Sequence, residues 1–208
     1  MDIKKEALRY VGYKGEPDEQ TLKLLLKAEK ELLSSAQPAF CWRVMDKSEC
    51  INILKGNDIQ KHLSGCEKII LFAATIGANA DRVIRTAEIS NMAYALIADA
   101  YASAMIEDYC DRCEQEMNEK TGGNYTWRFS PGYGDYPISK QSEFVSILSA
   151  DKHIGLTVTD NHILIPRKSV TAVIGITDVK RDENRNKCES CNMKNTCVLR
   201  KDGTDCGR

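Results

Sequence analysis

Apolar and polar positions alternate with helical spacing at the start of the chain. Ile3, Ala7, Leu8 and Val11 recur on one helix face behind Asp2, a residue suited to cap it. Gly12 to Pro17 predicts a turn, and Leu22, Leu25, Leu26, Leu32 and Leu33 predict a second helix with these leucines on one face. Phe40 to Met45 reads as a strand, Asp46 with Glu49 as the start of a capped helix, and Ile69 to Ala74 as a buried strand. From about Ala80 to about Lys120 the pattern predicts one long helix. Ala93, Ala95, Ala98, Ala100, Ala102 and Ala104 narrow its middle, so neighbouring backbones can approach closely and the helix should be central. Ile106, Tyr109, Cys113 and Met117 keep the helical interval towards its end, and Gly122-Gly123-Asn124 stops it.

Phe144, Ile147 and Leu148 mark a further helix that ends at Gly155. Leu156–Thr159, His162–Ile165 and Val170–Thr177 then read as antiparallel strands, the first two joined by a turn at Asp160-Asn161. Helices followed by hairpin-linked strands predict an α+β fold, with long central helices packed on a mixed or antiparallel sheet. Two units are expected: residues 1–179 as the folded domain, and residues 180–208 as a charged linker (Lys180–Lys187) with a small cysteine-rich tail.

The 29 basic and 30 acidic residues nearly cancel, which removes the electrostatic case for nucleic acid or an anionic membrane as the main partner. No apolar run is long enough for a transmembrane helix, and the start, Met1-Asp2-Ile3-Lys4-Lys5-Glu6, has no secretory core, so the expected location is cytoplasmic. In that compartment the nine cysteines are expected to stay reduced. Cys41, Cys50, Cys66, Cys110 and Cys113 sit within apolar segments and read as small core residues. Cys110-Asp111-Arg112-Cys113 could instead be redox-active or metal-binding, but both thiols fit the core face of the long helix.

The stretch Arg128-Phe129-Ser130-Pro131-Gly132-Tyr133-Gly134-Asp135-Tyr136-Pro137 has little regular periodicity and much glycine, proline and aromatic character. Gly132 and Gly134 let backbone approach a ligand, Tyr133 and Tyr136 offer flat amphipathic faces, and Arg128 can grip a carboxylate through two parallel hydrogen bonds. A surface loop with Arg128 in an ordinary ion pair is the alternative that the pattern alone leaves open.

The surroundings of this R-x-x-x-G-Y segment resemble the S-adenosylmethionine-binding activation domain of cobalamin-dependent methionine synthase. From about Ala95 to about Gly175 the order matches: an alanine-rich helix, R-x-x-x-G-Y, a helix ending in Lys152-His153-Ile154-Gly155, then Leu156–Asp160, Pro166 and Ser169-Val170. The resemblance implies that Arg128 binds the methionine carboxylate of S-adenosylmethionine while Pro131, Gly132 and Tyr133 shape the pocket. Asp111 and Arg112 stand where the family places a polar pair near the ligand. It further implies an accessory role in reductive reactivation, with cobalamin carried by a corrinoid-binding partner and one electron supplied from outside. A non-catalytic corrinoid-protein binding or assembly module is the alternative. Two departures stand out: Gly134 replaces a family proline, and Tyr136 precedes Pro137 where a cysteine is common.

Cys188-x2-Cys191-x5-Cys197-x8-Cys206 provides four soft ligands at short spacing. Four thiolates suit a 4Fe-4S cluster, which could relay the electron, or zinc, although only one C-x-x-C knuckle is present; a reduced tail without metal is the remaining reading. Asp151-Lys152-His153-Ile154-Gly155 is one residue short of a D-x-H-x-x-G cobalt-ligand motif, and Gly155 reads better as a helix stop. His62 and His162 have no evident partners in the sequence. Neither a phosphate-binding loop nor a strand-linked G-x-G-x-x-G occurs, which argues against a Rossmann-type methyltransferase.

Overall fold

The strand β2 (Lys68–Thr75) has an unbroken apolar run because both of its faces are covered, and Ile69 to Ala74 are fully inaccessible to solvent. The structure, a computed structural model, describes residues 1–178. In it β2 lies between β1 (Ala39–Asp46) and β6 (Ser169–Thr177), with β3 (Asn124–Tyr125) on the far side of β6. All pairings are antiparallel, and the register places Phe72 between Trp42 and Ala172.

The two-residue period of the strands divides the core in two. Ile70, Phe72, Ala74, Ala172 and Ile174 pack with the helices α1 (Ile3–Tyr10), α2 (Glu19–Ser35), α4 (Ala78–Ser90) and α5 (Met92–Thr121). Ile69, Leu71, Ala73 and Val173 pack with α3 (Asn57–His62), α6 (Gln141–Leu148) and α7 (Ala150–Ile154). A separate hairpin, β4 (Thr157–Val158) with β5 (Leu164–Ile165), leads into β6. The fold is therefore α+β, with helices on both faces of an antiparallel sheet. Buried alanines at 95, 98, 100, 102 and 104 run along α5 and let it lie against its neighbours.

Several expectations are corrected. The long helix breaks at Asn91, whose backbone is extended at φ −159° and whose side chain accepts the Tyr94 N–H at 2.9 Å, capping a new helix. The leucines of α2 do not share one buried face: Leu25 and Leu32 join Ala28 in the core, whereas Leu22, Leu26 and Leu33 are exposed. Asp46 makes no side-chain cap and is followed by a 3-10 turn, Lys47–Cys50. The helix after Pro137 is interrupted at Ser149, which adopts the left-handed conformation at φ 48°. The helix α3 and the strand β3, which carry no strong periodicity of their own, were not expected. Cys50, Cys66, Cys110 and Cys113 are buried as anticipated, while Cys41 is half-buried. The expected boundary at residues 179/180, the linker and the tail cysteines Cys188, Cys191, Cys197 and Cys206 lie outside the described residues. Among those described, no helix is long and apolar enough to cross a membrane, and no group of His, Cys, Asp and Glu side chains is placed to hold a metal ion.

Candidate functional site

The segment from Thr126 to Phe129 runs along the outer edge of β6, and the loop to Pro137 follows it. Thr126 donates its N–H to the Gly175 carbonyl at 2.9 Å, and Phe129 and Val173 exchange two backbone hydrogen bonds of 2.9 Å. Strand-like alternation then sends neighbouring side chains to opposite faces. Arg128 turns to α5, and Phe129 turns to the α3 side, where it packs with the second core.

On α5, Glu107, Asp111 and Glu114 are spaced to form one stripe. Arg128 meets all three: Nη1 lies 2.6 Å from Glu114, and Nη2 lies 3.1 Å from Glu107 and 2.9 Å from Asp111. The guanidinium is largely buried, its side chain 17% exposed, whereas Asp111 is 53% exposed. Burial opposes the charge on Arg128, but the facing Cys110, Glu114, Asp111 and Glu107 outweigh it and raise its pKa. Three carboxylates surround one guanidinium, so the cluster has excess negative charge when all four groups are ionised.

The loop that follows is built from two turns. Ser130 accepts the Tyr133 N–H at 3.2 Å, with Pro131 and Gly132 in the middle positions and Gly132 at φ 96°; this is the proline–glycine arrangement of a type II turn. Tyr133 then accepts the Tyr136 N–H at 3.0 Å, with Gly134 at φ 54°. Proline is locked near φ −65°, which explains why the resembling family's proline cannot stand at Gly134 in this backbone. The turns leave Pro131 buried and Tyr133 46% exposed, while Tyr136 is buried in the second core.

The short helix α3 anchors both ends of the loop. Its His62 Nε2 lies 2.7 Å from the Trp127 carbonyl, and its ring stacks near Phe129 with centroids 4.9 Å apart. At the other end Asp135 accepts the N–H groups of Asn57 at 2.6 Å and Asp58 at 3.0 Å, and Asp58 accepts the Asp135 N–H at 3.2 Å. These bonds, from Asp58 first and then Asn57, hold the Asp135 carboxyl below its usual pKa. A lowered folded-state pKa contributes stability above the ordinary carboxylate range, and that contribution is lost as pH falls through the lowered value. The Asn57 and Asp58 amide resonances should therefore hold through the ordinary carboxylate range and shift together only below it. Shifts beginning near neutrality would contradict this anchor.

Of the residues singled out in the sequence, Arg128 and Asp111 meet directly, and Pro131, Gly132 and Tyr133 form the adjoining turn. Arg112 does not join them: it is 61% exposed, pairs with Asp108 at 3.2 Å and lies over the Tyr109 ring. His153 lies in the last turn of α7, and Gly155 caps that helix in the left-handed conformation, as its reading as a helix stop requires. Glu107 and Glu114 were missed, although their helical spacing about Asp111 was visible. The partners of His62 and Asp135 are tertiary and had no sequence signal.

No family model and no curated protein matches the sequence. Among solved structures, the fold is similar to the crystal structure of the MetH reactivation domain bound to AdoHcy, with a TM-score of 0.60. The match covers 97% of this chain and 83% of that one at 12% identity. The likeness establishes a shared α+β fold.

Proposed function

We propose that the chain binds S-adenosylmethionine at the Arg128 loop and acts in reductive reactivation of a corrinoid protein. The observation that carries this reading is a coincidence of two independent features. The R-x-x-x-G-Y segment stands on the sheet edge beside a charged helix face, in a fold similar to that of a reactivation domain bound to AdoHcy. Bound S-adenosylmethionine would supply an electrophilic methyl group on a sulfonium. In that transfer the methyl–sulfur bond would break with its electron pair left on sulfur, and a reduced corrinoid carried by the partner would supply the electron pair for the new bond to the methyl. The electron needed to reduce that corrinoid would have to come from an external one-electron donor.

The chain's own residues position the ligand. Asp111 is the most exposed of the three acids on Arg128 and the easiest to displace. The ligand carboxylate takes its place on the guanidinium, and Asp111 then faces the ligand ammonium. Glu114 and Glu107 keep Arg128 oriented, and the exposed ring of Tyr133 covers the adjoining apolar surface. Pre-set orientation is the main contribution such a site makes when the nucleophile is already strong.

The excess negative charge also favours a sulfonium over a neutral thioether. Calorimetric titration of the intact chain should show S-adenosylmethionine binding roughly tenfold more tightly than S-adenosylhomocysteine at low salt, the gap narrowing as salt rises. Absence of binding by both ligands would reject the assignment. One observation favours a second reading, a corrinoid-protein binding or assembly module: Arg128 is already saturated by the chain's own carboxylates. In that case the titration is flat, while the chain still binds a corrinoid protein.

A further inference from the structure

We propose that the outer edge of β1 is a docking site for an extended, acidic segment of a partner protein, which adds to the sheet as a further strand. β1 is a terminal strand of eight residues, paired throughout with β2, and among the described residues no strand pairs with its other side. A cavity of about 490 Å³ lies along this edge. Its walls come from both faces of the sheet: Phe40 and Trp42 with Glu116 and Lys120 of α5 on one, Arg43 with His153 of α7 on the other. Such a trough exposes backbone edge groups at its floor and offers separate walls to the alternating side chains of an incoming strand.

Charge selects the occupant. The trough has two fixed cations, Arg43 and Lys120, and the His153 imidazole, against one carboxylate, Glu116. Glu116 is 2.6 Å from Lys120, leaving Arg43 as the exposed cation on the strand itself. A second copy of this chain joined by β1 would bring Arg43 close to its own counterpart, an arrangement that discourages self-pairing. An acidic strand centred on Phe40 to Val44 faces Arg43 directly, with Glu116 already paired to Lys120 and Asp46 beyond the far end of that stretch.

The test titrates the intact chain with a short blocked peptide of alternating valine and glutamate, followed by backbone amide resonances. Two control peptides are used: the valine–lysine counterpart, and the acidic peptide with alternate amides N-methylated so that they cannot donate to β1. Saturable binding of the acidic peptide alone, with shifts centred on Phe40 to Val44, is expected. Arg43→Glu, an exposed change that leaves the fold intact, should weaken binding roughly tenfold. No binding, equal binding of the basic or N-methylated peptide, or unchanged affinity in Arg43→Glu would overturn the proposal. So would a dimer formed through β1 in sedimentation velocity. None of these outcomes depends on S-adenosylmethionine.

Discussion

Arg128→Ala is expected to abolish S-adenosylmethionine binding and also to lower the stability of the ligand-free chain by about 2 kcal/mol. The two effects have different origins. The first follows from loss of the group proposed to hold the ligand carboxylate. The second follows from the charges left behind: Glu107, Asp111 and Glu114 occupy one stripe of α5 and share this guanidinium at 2.6–3.1 Å. Without it they repel one another, and Glu114, only 16% exposed, is left with little solvent to replace its partner. Arg112→Ala is the internal comparison. Arg112 is exposed, and Asp108 keeps the Met1 ammonium at 3.1 Å as a second partner, so the change should matter by no more than about 0.5 kcal/mol, with ligand binding retained. Arg128→Lys should fall between, because one ammonium cannot present the flat fork that reaches acids on both sides. Urea denaturation and calorimetry of the three variants separate these terms. If Arg128→Ala were as stable as the parent, the ion-pair cluster would have no structural weight; if it bound the ligand equally well, the site assignment would fail.

How far the sequence went depended on whether a feature was local. The central strand β2 was legible because burial on both faces demands an apolar residue at every position from Ile69 to Ala74. The alanine content of α5 correctly marked a helix with close neighbours. The break at Asn91 was not legible, since asparagine is tolerated inside helices as well as favoured at their starts, and the surrounding apolar pattern continues across it. The exposed leucines of α2 show the same limit: periodicity defines a stripe but not how much of it a neighbour covers. In the site, the segment reads from sequence only as an irregular loop, although the Pro131-Gly132 pair that forms its first turn is a local signal for one. The Asp135 anchor to α3 could not be read, because its donors lie 77 and 78 residues away. The resemblance named Arg128, Asp111 and Arg112 together; the first two pair at 2.9 Å, whereas Arg112 pairs with Asp108 instead.

Gly175→Val is expected to be the other severe change, costing about 3 kcal/mol and weakening ligand binding without touching the ligand. Gly175 lies in β6 where the strand passes beneath the end of α3. A Cβ there would stand 2.5 Å from the Cys66 sulfur, 3.0 Å from Thr126 Cγ2 and 3.1 Å from Leu63 Cδ2. Cys66 and Leu63 are buried, where close packing resists displacement, whereas Thr126 is partly exposed and is the neighbour best able to yield. Thr126 is also bound to Gly175 twice: its N–H donates to the Gly175 carbonyl at 2.9 Å, and its hydroxyl accepts the Gly175 N–H at 2.8 Å. Displacing it therefore strains the edge pairing that fixes the segment, and Arg128 lies only two residues further on. Gly175→Ala should show the same pattern at smaller amplitude, because one methyl group demands less room. Urea denaturation gives the stability loss, and titration with S-adenosylmethionine under conditions where each variant is folded gives the coupling. A stable Gly175→Val would mean that the layer above β6 repacks readily. A destabilised but folded variant with parental affinity would show that the loop keeps its position without the pairing at Thr126.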